Sequence, residues 1–188
     1  GGKSINRAME QAGIAPRFVQ GRRYTDPQTL DIVAKVLCEE VCESVVDDIA
    51  GDSGVRSVVL TAAGDQNFSV GMNLKELAPV LGDRRRLDEI LDQRLRVLAA
   101  IENMGKPWIA TLFGNCLGGG LELPLACHFR LAAQDSANIG LPELHLGSVP
   151  AWGGSARLVR AIGRDHAMNL ILRAKSVSAM PGPVSVNK

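Results

Sequence analysis

The sequence predicts an α/β fold, and three observations carry that prediction. Short β-branched or apolar runs, VRSVVLT at 55–61 and WIATL at 108–112, alternate with longer stretches of helical spacing. The chain has 188 residues, of which 46% are hydrophobic, so one domain with a substantial core is expected. After the run at 108–112 come three consecutive glycines, Gly118, Gly119 and Gly120, and then a helix start with Glu122 just inside it. Glycines let a backbone approach a ligand without interference from a Cβ, and the first helical turn has N–H groups with no partner in the helix. Those donors, with the positive end of the helix dipole, favour an oxygen that carries or develops negative charge. A glutamate beside them points to acid–base work next to a stabilised oxyanion. The other reading of the same residues is a glycine-rich turn with a capping carboxylate.

Each element follows in order. Residues 7–12 allow a short helix, ended by Gly13 and Pro16. Asp26 is placed to cap a helix with Pro27 at its first position. Leu30, Val33, Leu37, Val41, Val45 and Ile49 then mark one helical face. Residues 51–54 form a turn and 55–61 a buried strand. After a loop at 63–67, FSVGMN at 68–73 is a second glycine-containing bend, running into 74–77. Arg84, Arg85 and Arg86 could meet a phosphate, but a solvated helix start is the preferred meaning. Residues 87–103 are an amphipathic helix with Leu87, Leu91, Leu95, Leu98 and Ile101 on one side. Beyond the glycines, 129–133 is a strand, 138–142 a short extended piece and 147–154 a loop. A helix at 155–162 ends at Gly163, and Asp165 is placed to cap the next, 166–172.

Composition and motif spacing remove several classes of function. A net charge of +1 gives no reason to expect nucleic acid or an anionic membrane as the main partner. The apolar stretch 108–129 contains Asn115, Glu122, Pro124 and glycines, so strand–loop–helix fits it better than a membrane span. Cys38, Cys42, Cys116 and Cys127 fit neither a zinc pattern nor a small disulfide scaffold. Cys38 and Cys42, one helical turn apart, read as packing residues. With no secretory signal in view, a reducing, cytoplasmic setting is expected. The glycines make no dinucleotide fingerprint, because the third glycine would fall on Leu123, and no Lys-Ser/Thr follows to make a P-loop. Gly51–Asp52–Ser53–Gly54 looks like a serine-protease box but reads as a loop, since every histidine comes later. His128, Glu143 and His145 match no common metal-ligand spacing, so no metal is expected.

Together, SVVLTAAGDQNFSVGMNLKEL at 57–77 and KPWIATLFGNCLGGGLELPLACHFRLAAQDSANIGLPELHLGSVPAWGGSARLVRAIG at 106–163 resemble the enoyl-CoA hydratase/isomerase (crotonase) superfamily. The resemblance covers residues 22–179, which it makes a core domain between a divergent segment at 1–21 and a short tail at 180–188. It implies a crotonase-like spiral of ββα repeats, here apparently lacking most of the C-terminal helical region. It also implies an acyl thioester of coenzyme A as substrate, no separate cofactor, and a homo-oligomer, trimer or hexamer.

By motif position the backbone N–H groups of Met72 and Gly119 would bind the thioester oxygen, at roughly 3–4 kcal/mol of enolate stabilisation per donor. Glu122 would be the partner that activates water and Glu143 the acid–base residue at Cα. Val70, Gly118, Trp152 and Arg23 fall at substrate-binding positions, although Arg22 and Arg23 read equally as a solvated loop. The implied reaction is addition of water across the double bond next to the thioester. Isomerisation, thioester hydrolysis and a non-catalytic acyl-CoA-binding subunit are the alternatives. Ala151 stands where dehalogenating relatives have aspartate, which argues against that branch.

Five positions depart from the family pattern. Met72–Asn73 replaces a small residue followed by Asp, and His128 replaces an Asp. Pro124 falls early in the glutamate-bearing helix, where proline is tolerated only within the first turn or with a kink, and a kink could displace Glu122. Trp152 replaces a small residue, and either narrows the acyl pocket toward short or flat groups or is a core or interface residue.

Overall fold

A computed structural model describes residues 17–18, 32–37, 41–72, 75, 78–80, 82–134 and 136–179. Two sheets organise them. The larger has strands β1 (Arg17–Phe18), β2 (Ile32–Leu37), β3 (Val55–Thr61), β4 (Trp108–Leu112) and β6 (Phe129–Ala132), in the order β1-β2-β3-β4-β6. Every pair in it is parallel. The smaller sheet holds β5 (Asn115–Leu117), β7 (Asn138–Gly140) and β8 (Ser176–Ser178). There β5 and β7 run parallel, and β7 and β8 antiparallel. Among the described residues five helices follow the strands: α1 (Glu43–Gly51), α2 (Arg84–Glu102), α3 (Gly119–Ala126), α4 (Gly154–Ile162) and α5 (Arg164–Leu172). The units β4-β5-α3 and β6-β7-α4 each send their first strand to the large sheet and their second to the small one, a ββα repeat.

Parallel strands covered on both faces need continuous apolar sequence. Strand β3 supplies it: Val58 and Leu60 are fully buried and register against Trp108 and Ala110, also fully buried. Thr111 donates its hydroxyl to the Leu60 carbonyl (3.3 Å), which satisfies the one buried hydroxyl in this layer of the core. Phe68 and Phe113 meet edge to face, with centroids 6.4 Å apart, where the two sheets approach.

The helical face expected from Leu30 to Ile49 is not one helix. Residues 32–37 are strand β2, in register with β3, and the helix begins only at Glu43. The run IVAKVL satisfies helical spacing and is also short and β-branched, and pairing along β3 decides between the two. Cys42 is exposed at the start of α1 rather than packed, and Cys38, Asp26 and the helix expected at 7–12 lie outside the described residues. The C-terminal end of α1 is closed by Lys106, whose ammonium donates to the carbonyls of Ile49, Ala50 and Asp52.

Helix α2 starts earlier than its apolar face suggested. The Asp83 carboxylate caps it through the Arg86 N–H (3.0 Å), and Arg84, Arg85 and Arg86 are solvated and paired with Asp88 and Glu89. Only its C-terminal half is buried, through Val97, Leu98 and Ile101, while Leu95 is exposed. Helix α5 is capped by Gly163, not by Asp165, which sits in its first turn beside Arg164. No helix among the described residues is long and apolar enough to cross a membrane.

Candidate active site

The site is built where two backbone segments touch. The 68–71 bend is zipped along β5: Phe68 N–H donates to the Phe113 carbonyl (2.9 Å), Ser69 N–H to Asn115 (3.0 Å) and Leu117 N–H to Ser69 (2.9 Å). Asn115 N–H also meets the Asn67 side-chain oxygen (2.9 Å). This brings Gly71 against the start of α3. A Cβ on Gly71, which has φ +88°, would lie 3.0 Å from the Gly119 nitrogen, and one on Gly120 only 2.3 Å from the Ser69 carbonyl oxygen. Glycine at these two positions is therefore a condition of the approach, not only of the turn. Met72 follows Gly71 directly, so the segments bearing the two expected donors, Met72 and Gly119, are held side by side. Among the described residues no backbone acceptor engages either N–H.

Helix α3 begins at Gly119 with Gly118 as its N-cap, and Pro124 lies inside it. Proline removes the donor that would reach the carbonyl four residues back, that of Gly120. The Cys116 thiol donates to this carbonyl instead (3.4 Å), within the buried core. The helix continues past Pro124 to Ala126, with Glu122 buried within it.

Glu122 does not cap its helix. It is 2% exposed, and its Oε1 accepts the backbone N–H groups of Trp152 and Gly154, both at 2.8 Å. Burial outweighs those two bonds; with smaller contributions from the Glu143 charge, which raises the pKa, and Arg157, which lowers it, the net value is raised to about 7. Glu143 opens a 3-10 segment, Glu143–Leu146. Burial raises its pKa as well, and its Oε2 is buried with no hydrogen-bond partner. Its Oε1 lies 3.2 Å from where a Cβ on Gly118 would stand. Two carboxyl groups, each favouring its protonated form more than an ordinary glutamate, thus flank the glycine turn.

Trp152 is half-buried and packed against the core, and its ring lies over Gly119: a Cβ there would come 2.2 Å from Cζ3. The Arg94 guanidinium sits 5.4 Å from the ring centroid on α2. Val70 is 64% exposed on the outside of the bend, and Arg23 lies outside the described residues. His128 acts as a backbone anchor, its Nδ1 accepting the Trp108 N–H (3.0 Å) at the head of β4. The structure therefore brings Gly118, Gly119, Glu122, Glu143, Met72 and Trp152 to one place. Sequence reasoning missed the residues behind them: Cys116, Ser69, and the pair Arg157 and Glu102. For Arg157 a signal existed, the arginine of GG-x-x-R-L, but its partner lies 55 positions away in the chain.

Comparison with known proteins bears on the family and the fold. The family model described as enoyl-CoA hydratase/isomerase matches residues 24–181. A Bacillus subtilis protein described as a probable enoyl-CoA hydratase is 40% identical over 176 residues, covering 93% of this chain and 64% of the relative. The fatty acid oxidation complex subunit alpha of Shewanella loihica is 34% identical over 155 residues, 81% of this chain and 21% of that one. Among solved structures, the enoyl-CoA hydratase from Bacillus anthracis superposes with a TM-score of 0.71 at 31% identity, covering 83% of this chain and 64% of that chain. The enoyl-CoA hydratase from Geobacillus kaustophilus gives 0.69 at 30% identity, covering 72% and 50%. The chain thus spans less than two thirds of the length of these relatives. With a family match over most of its residues and the two-sheet ββα architecture on which these structures superpose, the chain belongs to the enoyl-CoA hydratase/isomerase family and has the crotonase fold.

Proposed function

We propose that the protein is a hydratase-type lyase that adds water across the double bond of an enoyl-CoA thioester, or runs the reverse. The observation that carries this reading is the pair Glu122 and Glu143, both with raised proton affinity, on either side of a glycine-lined helix start. The thioester oxygen accepts from the Met72 and Gly119 N–H groups, and the negative charge of the enolate builds there. The two carboxyl groups hold a water molecule. Its oxygen bonds to Cβ as the π electrons move toward the thioester, and its proton passes to the carboxylate of the pair. Glu143, whose Oε2 has no internal partner, delivers a proton to Cα. One water is consumed, and the pair ends with the protons it began with. Trp152 over Gly119 limits the adjoining space, which favours a short or flat acyl group.

A single-base isomerisation is the second reading. The observation that favours it is that Glu122 Oε1 is already engaged by two backbone N–H groups, leaving Glu143 the freer base. The two are separated by incubating the protein with short, branched and aromatic enoyl-CoAs in heavy water and weighing the products. A product heavier by one heavy water supports the hydratase. Deuterium uptake without addition moves the reading to the isomerase, and free acid with free CoA to a thioester hydrolase. Acyl-CoA binding with no turnover moves it to a non-catalytic subunit.

A further inference from the structure

The loop that holds Glu122 is itself held from behind. The guanidinium of Arg157, on α4, donates through Nη1 to the Trp152 carbonyl (2.9 Å). Its Nε and Nη2 both donate to Glu102 Oε2 (3.1 and 3.0 Å), at the end of α2. The other Glu102 oxygen accepts from Arg160 (2.9 Å), so the glutamate is fixed from two sides. The Arg157 side chain is only 10% exposed. Gly153 sits between these contacts with φ +84°, and a Cβ there would lie 2.5 Å from Arg157 Nη1. A Cβ on Gly154 would lie 2.7 Å from Glu122 Oε1. The segment 152–154 is therefore clamped: its N–H groups face Glu122, its first carbonyl faces Arg157, and glycine makes both approaches possible.

We propose that Arg157, aimed by Glu102, is the positioning residue for Glu122, fixing the two N–H groups that hold the Glu122 carboxylate and setting how readily it gives up its proton. The proposal rests on the reading of Glu122 as part of the acid–base pair. A planar fork suits this task because it bonds a carbonyl on one side and a carboxylate on the other at once, which an ammonium does less well. The charged groups that face Glu122 are Glu143 from the 3-10 segment and Arg157 from α4, with Arg94 on α2 beyond the Trp152 ring. Arg157 is the one that favours the ionised form by its charge, and the loop it clamps favours that form by hydrogen bonds. Removing it withdraws the charge and releases the Trp152 carbonyl of the loop that carries those bonds.

The test is a carboxyl titration by NMR of the full chain labelled with carbon-13 glutamate, the Glu122 signal being assigned through its loss in Glu122→Gln. In Arg157→Met the Glu122 midpoint should rise by about 1 pH unit. Arg157→Lys keeps a charge without the fork and should rise by less. The pH limb of kcat for enoyl-CoA hydration should move the same way, with kcat falling more than KM rises. A lower Tm with an unmoved Glu122 midpoint would leave Arg157 a purely structural residue and overturn the proposal. If Arg157→Met does not fold, Arg157→Lys carries the test with the same criterion. Because the titration is read without turnover, a moved midpoint in a protein that hydrates nothing would sink the hydratase reading and leave this one standing.

Discussion

At the residue scale, Glu122 links the fold to the chemistry. A buried carboxyl with a pKa of about 7, against 4.5 for the free group, binds its proton more tightly when folded than when unfolded. Its contribution to stability is therefore fully present below about pH 4.5 and is lost as pH rises through about 7. Thermal unfolding followed from about pH 5 to about pH 8 should show a smaller decline for Glu122→Gln than for the parent chain; an equal decline would mean that Glu122 is not the titrating group. Glycines make a second residue-scale test. Gly120→Ala places a methyl on the Ser69 carbonyl, which is backbone and cannot move aside, and should cost about 3 kcal/mol or prevent folding, measured by denaturant unfolding. For Gly119→Ala the three nearest atoms all belong to the Trp152 ring, so pairing it with Trp152→Ala should recover stability, and a double mutant no better than the single would show that the ring is not the obstacle.

At the scale of elements, α3 shows how a local rule can fail without harm. Pro124 suggested a displaced Glu122, because sequence alone does not say that a thiol from β5 replaces the missing donor. Cys116→Ala leaves the Gly120 carbonyl buried and without its thiol donor, and should cost about 1–2 kcal/mol. In a Pro124→Ala background the restored N–H should remove most of that cost; additive losses in the denaturant midpoints would contradict the pairing. The strand at 55–61, the strand at 108–112 and the glycine-to-helix transition were legible because buried parallel strands and glycine turns leave strong local signals. Strand β2 was not, since a mostly apolar six-residue run fits either period and only its partner strand decides.

At the scale of the molecule, the candidate site was legible as a set of residue types, Glu122, Glu143 and the glycines, because the motif order is local. Their support was not, because Arg157 reaches Glu102 and Trp108 reaches His128 only through the fold. The surface carries exposed apolar side chains in several elements: Phe129 and Leu131 on the edge strand β6, Leu146 and Val149 after Glu143, and Leu172 at the end of α5. Apolar surface on an edge strand invites a partner. We expect light scattering after size exclusion to return a trimer or hexamer of this chain, and a monomer at micromolar concentration would remove the oligomer from the account.

The most direct measurement compares hydration of a short enoyl-CoA by the parent chain and by Glu143→Gln, at equal acyl-CoA occupancy and with Tm recorded for both. We expect measurable hydration by the parent and a loss of about 1000-fold in the variant, with folding and binding unchanged. An unchanged rate in Glu143→Gln would contradict the assignment of Glu143 as the proton donor and, with it, the two-carboxylate mechanism.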